Sequence, residues 1–134
     1  MKKVKIKALR YYKKWRKEKT FSPALKEEIR VSLKGWRHIT GATGAKKRNI
    51  NDIYRRLMLL PHAKAIIKKA TTIQNIVKRK GRTYYVFEEV RMIAEKGKKT
   101  QRKIRVILEE DKKGKKVFLS VMDKKHRKRR KKKP

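Results

Sequence analysis

The chain has 134 residues, the length of one domain, and carries 46 Lys and Arg against 11 Asp and Glu, a net charge of +35. Such a field repels itself and attracts phosphate. The absence of cysteine excludes disulfides, thiolate zinc sites and thiol catalysis, and no apolar run approaches the ~18 residues of a transmembrane helix.

Residues 8–19, ALRYYKKWRKEK, predict a short basic helix with Leu9, Tyr12 and Trp15 at helical spacing. Ser22-Pro23 reads as a cap and first-turn proline opening a short helix over Ala24 to about Glu28. Ile29, Val31 and Leu33 alternate with polar residues, which predicts a half-buried strand broken by Gly35. Trp36, Ile39 and the GATG stretch suggest a turn of helix running into a flexible basic loop, 41–50. Asn51 or Asp52 can cap a helix with Ile53, Leu57 and Leu60 on one stripe. Pro61 ends it or opens another helix, with Ala63, Ile66, Ile67 and Ala70 at helical spacing.

After Thr71 the composition turns β-branched and aromatic. Four segments, TTIQNIVKRK, RTYYVFEEVRMI, QRKIRVILEE and KKVFLSVMD, are separated by short basic turns and predict an antiparallel meander. The fold class is therefore α+β: N-terminal helices followed by a four-stranded antiparallel sheet, with basic N- and C-terminal arms. A basic arm or helix spans 1–20, a single domain 21–123 and a disordered basic tail 124–134. The stretch 20–123 alone holds 27 basic and 10 acidic residues, so the charge is not confined to the ends. Alternation places Ile104, Val106 and Leu108 with Val117, Leu119 and Val121 on the core face. It leaves Lys103, Arg105 and Ile107 with Lys116, Phe118 and Ser120 on a basic, partly aromatic face.

The acids fall mostly in adjacent pairs, which point to opposite faces of a strand and cannot easily chelate together, and His38, His62 and His126 show no ligand spacing. No Walker-type phosphate loop is present. No metal and no cofactor is expected. Metal-free RNA cleavage needs only a proton-transfer group, a cation for the phosphorane charge and a donor to orient the phosphate. His38, in KGWRHIT before the basic loop, is the sharpest proton-transfer candidate; the alternative is a His that caps or packs a helix or binds phosphate. His62 reads as a surface or capping residue and His126 as part of the tail. Arg105 and Ser120 read either as a phosphate clamp and a hydrogen-bond donor or as solvated sheet residues. Tyr84 and Tyr85 must point to opposite faces, one into the core and one free to stack a base. Trp36 is read as a core anchor ahead of a stacking platform.

The runs IRVSLKGWRHITG, RRLMLLPHAKAIIKKA, GRTYYVFEEV, RKIRVILEE and GKKVFLSVMDKK resemble the barnase/EndoU/colicin/RelE-like nuclease superfamily, closest to its phage, mobile-element and toxin branches. The resemblance covers roughly residues 29–123. It implies helices ahead of a four-stranded antiparallel sheet and metal-independent cleavage of RNA. Carried over by motif, it implies His38, Arg105 and Ser120 as catalytic residues, with Tyr85 beside them. The resemblance adds Lys34, Arg56 and Lys116 beside them; these, with Arg37, Arg48, Lys103, Phe118, Lys124 and Arg127, are the residues expected to bind RNA. The chain departs from the pattern in lacking an obvious acidic general base and in being more basic than most members.

The function expected is a metal-independent endoribonuclease, toxin-like or phage-encoded. Its partners would be RNA (tRNA, mRNA or rRNA) and a cognate inhibitor or antitoxin. The alternative is a basic RNA-binding or ribosome-associated protein that does not cut. No membrane partner is expected, since the basic middle of the chain is not what a surface-binding helix needs, and the expected location is the cytoplasm.

Overall fold

A computed structural model describes residues 2–41, 49–95 and 97–125. The basic loop's Arg48 and the tail's His126 and Arg127 lie outside the described residues, and of the tail expected to be disordered over 124–134 only Lys124 and Lys125 are described, where they belong to a strand. Helix α1 spans Lys2–Lys17, beginning six residues before the predicted one. Its buried positions, Ala8, Tyr12 and Trp15, keep a stripe spaced four and three apart, with Ala8 in place of the expected Leu9.

Where a helix was expected after Ser22-Pro23, the chain makes a hairpin of β1 (Thr20–Ser22) and β2 (Glu27–Ile29). Local hydrogen bonding explains the difference. Ser22 Oγ accepts from the Leu25 amide at 3.2 Å, Lys26 takes a positive φ of 55°, and Thr20 Oγ1 accepts from Trp15 Nε1 at 2.8 Å. The predicted strand stops at Ile29, apart from a parallel bridge of Arg30 to Val117; Leu33 opens α2 (Leu33–Thr40) instead. Ser32 caps that helix on the Lys34 amide, and Gly41 ends it at φ 76°.

Helix α3 (Ile50–Met58) is capped by Asn49, two or three residues earlier than read from sequence. Pro61 sits in the first turn of α4 (Leu60–Lys69), so it opens a helix. Strands β3 (Asn75–Arg79), β4 (Arg82–Glu95), β5 (Lys98–Glu110) and β6 (Lys116–Lys125) then form the expected antiparallel meander in order β3-β4-β5-β6.

One face of this sheet is covered. Phe87, Ile104, Val106, Leu108, Phe118 and Val121 bury against Tyr12 and Trp15 of α1, Leu57 of α3 and Ile66 and Ile67 of α4. Trp36 packs half-buried on Tyr12, centroid to centroid 5.5 Å, consistent with an anchor on the core. The register shifts at a β-bulge between Ile107↔Ser120 and Leu108↔Phe118, with Leu119 the extra residue. The bulge inverts the facing expected for the start of β6: Phe118 is core, and Leu119 and Val117 leave the Ile104–Leu108 face. Past it, Val121 again pairs Val106 on the covered side. Segment 30–31 and α2 close the outer edge of β6, through Arg30 N to Lys116 O and Phe118 N to Arg30 O, both 2.9 Å.

Candidate functional site

Alternation along β3, β4 and β5 carries Val77, Arg79, Tyr84, Val86, Arg105 and Ile107 to the face away from the helical core. The bulge adds Leu119, and α2, lying along the β6 edge, adds His38. These eight side chains line one cavity of about 370 Å³. Its floor is aliphatic; its polar groups are an imidazole, a phenol and two guanidiniums.

Gly35 sets where His38 stands. A Cβ there would lie 2.6 Å from Tyr12 Oη and 2.7 Å from the Phe118 carbonyl oxygen. Only glycine lets α2 approach this closely, which places His38 one turn further on at the cavity rim.

Arg105 donates from Nε to Glu88 Oε1 at 2.8 Å, and its Nη2 lies 2.5 Å from the same oxygen; Lys103 Nζ holds Glu88 Oε2 at 3.0 Å. Burial pushes the Glu88 carboxyl up, but the hydrogen bonds and charges of Lys103 and Arg105 outweigh it, and the net is a lowered pKa. Glu88 is thus an anionic brace that aims Arg105. The fork leaves the Nη1 hydrogens of Arg105 to a ligand. A phosphate on Arg105, with an apolar floor beneath it and an imidazole at the rim, is chemistry this cavity can support.

The other residues expected at the site are placed differently. Ser120 is fully buried and its Oγ accepts from Arg56 Nη1 at 2.7 Å, while Arg56 Nε binds Asp52 at 3.0 Å. Both tie α3 to β6, and neither lines the cavity. Tyr85 pairs with Leu108 on the covered face; its hydroxyl meets Glu110 Oε1 at 3.4 Å and Lys116 Nζ lies 5.4 Å from its ring centroid. Burial pushes the Tyr85 phenol up, and Glu110 adds to it. Lys116 is held between Glu110 at 3.1 Å and Glu27 at 3.4 Å. Burial alone would lower its pKa, but the two carboxylates raise it. Phe118 is in the core, 4.9 Å from the Trp15 ring. Lys34 pairs with Glu109, which Arg82 also holds at 3.2 Å. Arg37, Lys103 and Lys124 are exposed. His62 accepts from Arg91 Nε at 3.0 Å; burial, then the Arg91 charge, lowers its pKa, which suits a neutral structural imidazole.

Thus His38 and Arg105 share one cavity, and Ser120, Tyr85, Arg56, Lys116 and Phe118 stand outside it. Sequence reading missed Arg79 and Glu88 as part of the site, and it left open which of Tyr84 and Tyr85 faces the core; Tyr84 is the one at the cavity. The two-residue turn Lys80-Gly81 was the available signal: it pairs Arg79 with Arg82, and hence Val77 with Tyr84. Among the described residues, no three His, Asp or Glu gather as a metal site, and no helix is long and apolar enough to cross a membrane. Comparison of the chain with family profiles, curated proteins and solved structures finds no match.

Proposed function

We propose that this protein is a metal-independent endoribonuclease, of the toxin-like or phage-encoded kind its sequence resembles, acting on cytoplasmic RNA. The observation that carries the reading is that His38 and Arg105, far apart in sequence, line one cavity on the sheet face that the helices leave free. In this reading His38 takes the proton of a ribose 2′-OH. The 2′-oxygen attacks the adjacent phosphorus, the P–O5′ bond breaks, and the imidazolium returns the proton to the leaving 5′-oxygen. The products are a 2′,3′-cyclic phosphate and a 5′-hydroxyl. Arg105 offsets the charge gathering on the phosphorane, and Glu88 positions Arg105. Tyr84 supplies a ring for an unstacked base.

The test is incubation of the pure protein with tRNA and with total RNA in EDTA. Cleavage to 2′,3′-cyclic ends is expected, reduced about 10²–10⁴-fold by His38→Ala. Intact RNA, or cleavage that His38→Ala leaves unchanged, ends this reading.

A second reading is RNA binding without cleavage. It is favoured by the ion pair of Arg105 with Glu88 and by the structural use of Ser120 and Arg56. It expects retention of RNA at low salt and no products after long incubation.

A further inference from the structure

A cavity of about 560 Å³ opens between α1 and the corner where α3 meets α4. Ala8, Leu57 and Leu60 form its buried floor. Tyr54 and Met58 stand at its lip, 42% and 52% exposed, so the groove is apolar up to its edge. Lys7, Arg10 and Lys14 border it. Their spacing of three and then four residues puts them on one face of α1, a cationic rail ~10 Å long at 1.5 Å per residue. None of the three forms an ion pair among the described residues.

We propose that this groove docks an amphipathic helix of an acidic protein partner. The partner's apolar stripe would cover Tyr54 and Met58 above the Leu57 floor, and its carboxylates would meet Lys7, Arg10 and Lys14. Charge and shape favour this occupant. A helix offers apolar side chains three and four apart with acids flanking them at the same period, which matches an apolar trough beside a cationic rail. A second copy of this chain would bring a net charge of +35 and the same cations against the rail. RNA would satisfy the rail but leave the trough without apolar cover. None of the residues given to ribonuclease action lines this groove, so the two readings stand or fall separately.

The probe is a synthetic peptide of about 18 residues, five helical turns, with Leu at every third or fourth position and Glu beside them. A peptide of the same composition with the Leu positions scrambled is the control. Fluorescence anisotropy with the full chain should show the patterned peptide binding at least about tenfold more tightly than the scrambled one. Tyr54→Ser with Met58→Ser should remove most of that difference while the thermal melt and tRNA binding stay unchanged. Equal binding of the two peptides would mean that charge alone acts, and no binding would mean that the groove takes no such helix; either overturns the proposal. So does a loss of tRNA affinity in the Tyr54/Met58 variant, which would give the groove to RNA.

Discussion

Ser120 and Arg105 begin as equals on the sequence, two polar residues on neighbouring strands, and the fold gives them opposite uses. The Ser120 hydroxyl is fully buried against Arg56, so its removal takes one acceptor from a guanidinium that is 11% exposed. Ser120→Ala is expected to cost about 1–3 kcal/mol of stability in urea denaturation and to leave the activity of the folded fraction unchanged. A hundredfold loss of activity at unchanged stability would return Ser120 to the chemistry. Arg105 keeps an edge of its guanidinium beyond Glu88, and only such an edge can serve a phosphate.

At the scale of elements, the approach of α2 to β6 decides whether the cavity exists. Alanine in place of glycine inside a helix normally stabilises by about 1 kcal/mol. At Gly35 the added methyl would sit 2.6 Å from Tyr12 Oη and 2.7 Å from a backbone oxygen, and overpacking of that kind costs about 1–3 kcal/mol. The clash wins, because the Phe118 carbonyl is fixed in the sheet. Gly35→Ala is therefore expected to lower the melting temperature and, by pushing α2 outward, to weaken any function of His38 more than the stability loss explains. A variant that melts no lower than the parent would show that α2 is less tightly seated. The bulge at Leu119 acts on the same junction, sending Phe118 inward and Leu119 to the cavity floor.

Across the whole molecule, the net charge of +35 is expected to govern association with any polyanion. Cations outnumber acids even within 20–123, so RNA is expected to meet many phosphate contacts at once. With six or more of them on single-stranded RNA, log K should fall against log salt with a slope steeper than about −4. Filter binding or anisotropy between low and moderate salt measures it, and a slope near zero would remove RNA from both readings of function.

Much of this was legible from local pattern. The α+β order, the stripe of α4 and the meander follow from periodicity and turn residues, which are properties of neighbours along the chain, and the excess of positive charge follows from composition. The hairpin at 20–29 was not legible, because Ser22 and Thr20 find their partners through a turn and through Trp15. Nor was the facing of Phe118 and Leu119, since one extra residue in β6 inverts an alternation that the sequence displays without interruption. Composition and periodicity by themselves determined the charge, the longer helices and the four-stranded meander. Which cations stay available and which are braced, and that His38 and Arg105 line one cavity while Ser120 and Tyr85 stand outside it, was decided only by strand register and helix docking, because these join residues that no local spacing relates.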